Sequence, residues 1–361
     1  MGRRLRPANG RAAAASNTAA SRTAPPVLVE VTRGDHVESR HRGRMAVVSG
    51  DGRLVASIGD PDGFIYLRSS AKPFQLAPFV ASGLFDTYGL GDDALAIMAA
   101  SHSGEDRHVR TVQAILRDAG LTAAALQCGT HTPYDVETAR RLARDGEEPT
   151  PLRHNCSGKH TGMLLYAKAL GAPLDTYFAP DHPVQQAALR TVSTLSGIPE
   201  SQIATATDNC GVVTFGLPLR ALALLYARLA DPSGVTDAPL SAALLRIRDA
   251  MMAHPILVAG ERRRLDTALM RAEPGRVLAK GGAEGVQAAA LVGAGHGFAL
   301  KIEDGDAAQR ARNVATCSAL RQMGALTDAS VAALAEYAAP VIRDPRGDRA
   351  GEVRPAFRLA G

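Results

Sequence analysis

The chain has 361 residues, 46% of them hydrophobic, enough to bury a sizeable core in a large α/β fold with an inserted helical lobe. Trp is absent and only 4% of residues are aromatic, which points to helices packed through alanine and aliphatic side chains. The net charge of +5 owes much to Arg3, Arg4, Arg6, Arg11 and Arg22, with no acid among them, and no basic stripe with interleaved aromatics or zinc-finger spacing follows, so nucleic-acid binding has no support.

In chain order, residues 1–25 are rich in Ala, Arg, Ser and Asn and lack apolar periodicity, which predicts a disordered tail followed by one domain over 26–361. The tail has no apolar h-region of a secretory signal. No run approaches the ~18 apolar residues of a membrane helix. A cytoplasmic protein without membrane contact is expected, with an organellar transit peptide as the alternative for an Arg-rich, acid-free start. Residues 27–31, 46–48 and 54–56 read as strands, the last two joined through the hairpin chemistry of Ser49-Gly50-Asp51-Gly52.

From about 70 to 253 helical patterns dominate. Asp106 can cap a helix reaching Gly120, with Val109, Val112, Ile115 and Leu116 on one face. Residues 162–171, 183–197 (Pro183 in the first turn, Gly197 at the end), 218–230 and 239–253 follow the same pattern. Strands return at 277–279, 286–292 and 298–302, separated by Gly-rich turns, and two helical patterns (307–323, 329–337) and a strand at 352–353 close the chain. Strands at both ends with helices between predict one antiparallel sheet built from both termini, with the helical middle covering a face and adding a lobe.

Three short segments carry chemistry. In Arg68-Ser69-Ser70-Ala71-Lys72-Pro73-Phe74 an apolar run follows, so a helix beginning here sets Ser69 and Lys72 on one face, the amine within reach of the hydroxyl. A neutral lysine is a base that can activate a serine. Ser-x-x-Lys at a helix head, then a second serine, then Lys-x-Gly on a late strand is the order found in serine β-lactamases and penicillin-binding proteins. Here Ser101-His102-Ser103-Gly104 and Lys280-Gly281-Gly282 take the second and third places, with Ser103 where that pattern has Asn.

Of the four cysteines, Cys128 and Cys317 lie in apolar patterns and read as core, whereas Cys156 and Cys210 sit among small polar residues. In a cytosolic chain they are expected free or metal-bound rather than paired. Two thiolates with a nitrogen donor and a water make a tetrahedral zinc site. From chemistry alone the nitrogen would come from His160 or His154.

Arg68-Ser-Ser-Ala-Lys72, Ser101-His-Ser-Gly-Glu105, His154-Asn-Cys-Ser-Gly-Lys-His-Thr-Gly162, Asp208-Asn-Cys-Gly211 and Ala279-Lys-Gly-Gly-Ala-Glu-Gly285 together resemble the asparaginase II family, the class 3 L-asparaginases, over roughly residues 27–355. The resemblance implies a serine β-lactamase-like α/β fold, a homodimer, and hydrolysis of L-asparagine to L-aspartate and ammonia. It implies two Ser–Lys pairs, Ser69–Lys72 and Ser101–Lys280, and one zinc ion held by Cys156, Lys159 and Cys210 rather than by a histidine.

On that basis Ser69 is expected to attack the amide and Lys72 to take its proton. The Ser101–Lys280 pair is expected to serve the departing ammonia, although the sequence leaves open which serine carries the acyl group. A zinc ion in such a site is expected to orient rather than to generate the nucleophile. Asparagine also presents a carboxylate and an ammonium. Arg68 is placed to hold the first, Asp208 to accept from the second, and His160 to donate to the substrate or near Lys159. A glutaminase is the nearest alternative, because one methylene is worth only ~1–3 kcal/mol in a pocket. Another β-lactamase-like serine amidohydrolase is the next.

Overall fold

The computed structural model describes residues 24–359, so the expected tail over 1–25 lies almost wholly outside the described residues. Among the described residues eleven strands form two sheets. From the first part of the chain come β1 (Val27–Arg33), β2 (His36–Ser49), β3 (Leu54–Ile58) and β4 (Phe64–Tyr66). β5 (Ala204–Thr207) and β6 (Val213–Pro218) lie mid-chain. The last part supplies β7 (Val277–Gly281), β8 (Val286–Leu291), β9 (His296–Ile302), β10 (Val341–Arg343) and β11 (Arg349–Pro355).

The large sheet runs β10-β11-β1-β2-β9-β8-β7, with β3 on the far half of β2, and the pairings are antiparallel. β2 holds it together because its 14 residues are long enough to pair β1 with one half and both β3 and β9 with the other. The sheet is therefore made from both chain ends, as expected, and the helices of residues 72–272 pack on one side of it. The small sheet β4-β6-β5 was not legible in the helical middle of the sequence.

Side chains alternate across a strand, and the sequence uses the alternation to build two different faces. Met45, Val47, Val277, Ala279, Ala289, Phe298 and Leu300 join the cluster that packs under helix Arg310–Gln322. Their neighbours Ala46, Val48, Leu278, Ala288, Ala290 and Ala299 join the cluster of the helical lobe. That face is lined with small residues, which lets helix Leu219–Ala230 lie close on β9. The closest approach is at Gly297, where a Cβ would stand 1.9 Å from the Ala223 carbonyl oxygen and 2.3 Å from the Ala227 nitrogen. Backbone cannot yield as a side-chain tip can. Gly297→Ala is expected to cost at least about 1–3 kcal/mol of unfolding free energy, read as a fall in the denaturant midpoint; an unchanged midpoint would contradict this packing.

The same alternation sends Lys280 to the lobe side with Leu278, two residues before it. Within the lobe, helix Lys72–Ala81 follows a 3₁₀ turn at Arg68–Ala71, and helix Asp92–Met98 ends just before Ser101. Helix Ser157–Ala169 begins within the Cys-Ser-Gly-Lys-His segment, five residues earlier than the apolar pattern predicts. Among the described residues no helix is long and apolar enough to cross a membrane.

Candidate active site

The site is assembled where the lobe meets the end of β7. Arg68 opens it with a left-handed backbone (φ 51°), a conformation that costs a non-glycine residue about 1–3 kcal/mol, between Leu67, which is already in the right-handed helical region, and the rest of the 3₁₀ turn. The turn is held from beneath: Tyr226 donates to the Ser70 carbonyl at 2.8 Å, and Gln75 donates to the Val213 carbonyl at 3.0 Å. Ser69 emerges from it half-buried and lines a cavity of about 440 Å³, together with Ser101, Asn155 and Gly282.

Lys72 does not reach Ser69. Its Nζ donates to the Ala100 carbonyl at 2.6 Å and meets Ser101 Oγ at 2.8 Å. Lys280 Nζ approaches the same Oγ at 2.7 Å and donates to the Gly281 carbonyl at 2.8 Å. The geometry is thus a row, Lys72–Ser101–Lys280, with Ser69 beside it, rather than two separate pairs. Among the described residues the Ser69 hydroxyl makes no hydrogen bond, so it is free to turn into the cavity. The two amines are 1% and 0% exposed. Burial, the largest effect, holds the Lys72 amine below its ordinary value. Burial and then the Lys72 charge hold Lys280 well below its own. Two buried ammonium groups on one hydroxyl oxygen repel, so the row favours a state with a neutral amine.

Ser101 is fixed through its backbone. Its N–H donates to the Val258 carbonyl at 2.9 Å, and Arg264 Nη2 donates to its carbonyl at 2.7 Å. His102, fully buried, stacks on His108 with ring centroids 4.8 Å apart and shares a 2.9 Å hydrogen bond with Ser157. Burial, ahead of the His108 charge, pushes His102 well below its usual range, so it is a neutral structural link and not a titrating base at pH 7.

On the other flank Arg68 Nε pairs with Asp208 at 2.8 Å and its Nη2 donates to Asn209 Oδ1 at 2.9 Å. Asp208 and Asn209 belong to the tight turn joining β5 to β6, a hairpin whose Gly211 (φ 90°) takes a backbone that favours glycine. Burial pushes the Asp208 carboxyl up, but Lys159 and Arg68 outweigh it and hold it below its ordinary value. The two residues assigned to the opposite charges of an amino acid thus face each other, with Arg68 directly preceding Ser69.

Cys156, Lys159 and Cys210 come together on the far side of Lys72. Lys159 Nζ lies 3.0 Å from Cys210 Sγ. Cys156 is held well below the usual thiol range by hydrogen bonding with Cys210 and then by the Lys72 and Lys159 charges. Burial works against the Lys159 ammonium, but the two sulfurs raise its amine above the ordinary value. His160 donates to or accepts from the Tyr177 hydroxyl at 2.6 Å through Nδ1, and its buried Nε2 has no hydrogen-bond partner among the described residues. Burial pushes this imidazole down to about 4. His154, the other histidine considered as a donor, bonds through Nδ1 to the Cys156 N–H at 3.0 Å. Among the described residues no group of three or more His, Cys, Asp and Glu side chains is placed to hold a metal. The nitrogen beside Cys210 is a lysine, and among the described residues His154, at the Cys156 N–H, and His160, with its unpartnered Nε2, are further nitrogen donors that the motif brings near.

Three residues that border the site escaped the sequence reading: Arg264, Asp266 and Tyr134. Arg264 lies over the Tyr134 ring, 5.8 Å from its centroid. The Arg262-Arg263-Arg264 run was the available signal, but a charge run in a loop ordinarily marks a solvated face. A larger cavity of about 660 Å³ adjoins the first and shares Tyr134 and these arginines with it. Its walls contain none of the clustered serines and lysines, so chemistry rather than size selects the smaller one.

An antiparallel sheet built from both chain ends, a Ser-x-x-Lys turn at a helix head and a lysine on a late strand make up the α/β arrangement that the sequence predicts, and the family match makes the chain an amidohydrolase. The chain belongs to the L-asparaginase II family, whose model matches residues 29–355. Solved structures with a detectable likeness include Mglu in its native form, at 17% identity and a TM-score of 0.44 over 79% of this chain and 64% of that one. Mglu in its L-glutamate binding form gives 16% and 0.39 over 79% and 60%. A beta-lactamase from Mycobacterium bovis gives 16% and 0.38 over 82% and 95%. The chain therefore spans under two thirds of the length of native Mglu. No curated protein matches the sequence.

Proposed function

We propose that the chain is an L-asparaginase that hydrolyses L-asparagine to L-aspartate and ammonia by acyl transfer through Ser69. The observation that carries this reading is the buried Lys72–Ser101–Lys280 row beside a half-buried Ser69 in the cavity. Ser69 Oγ attacks the side-chain amide carbon while its proton passes to neutral Lys72, three residues on, once the amine turns from Ser101 toward it. Collapse of the tetrahedral intermediate breaks the C–N bond. The proton on Lys72 then moves through Ser101 Oγ, 2.8 Å away, to the departing nitrogen, which leaves as ammonia. With Lys72 neutral, the row's remaining charge sits on Lys280 beside Asp266, where it keeps Ser101 oriented and offsets the developing negative charge. Water then attacks the ester, its proton retracing the route, and aspartate leaves. Contacts that tighten only around bound substrate are common, so a Lys72 amine on Ser101 in the free protein accords with this route. Arg68 would take the substrate carboxylate and Asp208 its ammonium, each giving up part of the other's pairing, with His160 adjusting the floor of the site near Lys159.

Zinc fits the sulfur cluster as a second part of the proposal. Cys156, Lys159 and Cys210 would hold it, and bound there it would fix the cleft wall and neutralise the thiolates. Lys159 must release its proton to bind, so affinity is expected to rise with pH. Protein purified without chelator is expected to carry about one zinc per chain and Lys159→Ala to lose most of it; metal-free wild-type protein would contradict the assignment. A homodimer and a cytoplasmic location remain part of the proposed reading.

Ammonia release from L-asparagine and from L-glutamine tests the substrate. Asparagine is expected to be preferred, by about 10–200-fold in kcat/KM if one methylene decides it. Preference for glutamine would replace the proposal by the glutaminase reading.

A further inference from the structure

The proposed relay depends on Ser101 and Lys280 meeting at one distance, yet they come from parts of the chain 179 residues apart. One short segment touches the backbone of both. Arg264, just before helix Leu265–Ala272, donates through Nη2 to the Ser101 carbonyl at 2.7 Å and through Nη1 to Ser103 Oγ at 3.1 Å. Asp266, two residues on and buried, accepts from the Gly281 N–H at 2.8 Å, the peptide that directly follows Lys280. Its other oxygen accepts from Gln287 Nε2 at 2.9 Å, on the neighbouring strand. We infer that Arg264 and Asp266 are positioning residues that clamp Ser101 against Lys280 and balance the charge of the lysine row.

Asp266 is the acid facing Lys280, whose other charged neighbours are Lys72, Arg264 and Cys156. The carboxylate is faced in turn by Lys280, Arg312 and Arg264. A cation and an anion on one segment therefore act on the Lys280 amine in opposite senses, while both hold geometry. The surroundings also allow the charge of Asp266 to be removed without breaking the clamp. Gln287 Oε1 is buried without a partner among the described residues, so a turn of that amide lets it accept from an asparagine at position 266. The Gly281 N–H keeps its acceptor.

The inference rests on the proposed asparaginase reading, and wild-type turnover of L-asparagine is the control that separates the two. If the wild type is inactive on it, that reading fails first. With an active wild type, Asp266→Asn is expected to lower kcat by about 10²-fold, the size of a small misplacement in an aligned site, with KM changed less than about threefold. Loss of the carboxylate makes the Lys280 ammonium harder to keep, so the high-pH limb of kcat moves to lower pH. Arg264→Gln removes a like charge and is expected to lower kcat while moving that limb to higher pH. Opposite shifts distinguish positioning and charge balance from general loss of stability, and if Asp266→Asn does not fold, the upward shift in Arg264→Gln alone decides. Turnover within about threefold of wild type in both folded variants, or limbs that move the same way, would overturn the inference.

Discussion

Ser69→Ala is expected to abolish amide hydrolysis, lowering kcat on the order of 10⁴-fold or more, the scale seen when a nucleophile that acts as part of a unit is removed. The loss should come without a loss of fold. Ser69 is half-buried, its hydroxyl has no hydrogen bond to give up among the described residues, and the turn around it is held by Tyr226, Ser70 and Gln75. A thermal midpoint within a degree or two of wild type is therefore part of the prediction. Ser101→Ala makes the informative contrast. Its hydroxyl joins two buried amines, so its removal disturbs both activity and the lysine row. If Ser69→Ala retained most of its turnover while Ser101→Ala had none, the attacking group would be Ser101.

Lys72→Met is expected to separate activity from stability. As the proton acceptor for Ser69, Lys72 contributes about 10²–10⁴-fold to kcat. As a buried amine beside Lys280 it works against the fold, and its replacement by an apolar chain of similar length is expected to add about 1–2 kcal/mol of unfolding free energy at neutral pH. The sign with pH follows from proton binding. The unfolded chain keeps Lys72 at an ordinary lysine value, whereas in the folded chain burial holds it lower. Between those two values the unfolded state binds more protons, so the contribution of Lys72 to stability improves as pH rises through that window. Unfolding free energies of wild type and Lys72→Met measured from pH 7 to 10 should therefore converge. In activity the same depression puts neutral Lys72, and with it the rising limb of kcat/KM, below the range of a free lysine. A variant less stable than wild type at every pH, with kcat unchanged, would remove both arguments.

Much of the architecture was legible because the sequence repeats its periods plainly. The β8 and β9 runs are bounded by Gly293 and Gly295, both with positive φ in the turn, and helix Pro183–Ser196 is opened by proline and closed by Gly197. The small β4-β6-β5 sheet was hidden because β5 is the short Ala204–Thr207, half-exposed, and β6 is buried up to Pro218, where it runs directly into a helix. β5 alternates, Ala204-Thr205-Ala206-Thr207, but over only four residues with weakly apolar alanines, and β6 offers no alternation at all. Motif order singled out Ser69, Lys72, Ser101 and Lys280, and only the family resemblance pointed to Lys159, but the partnerships among them were not legible. Ser-x-x-Lys spacing places Lys72 on the same turn as Ser69, while the carbonyl of Ala100 and the hydroxyl of Ser101, neighbours only after folding, draw the amine away. Arg264 and Asp266 were invisible for the same reason: what distinguishes them is burial against Ser101 and Gly281, and no local pattern carries that.

The account turns on one covalent event, so the most direct test is to find the acyl group. Wild-type protein turning over L-asparagine, quenched rapidly in acid and digested, is expected to carry an aspartyl ester on the peptide containing Ser69, and none in Ser69→Ala. An ester on Ser101 would exchange the roles of the two serines. Rapid turnover with no ester on either serine would contradict acyl transfer as the route.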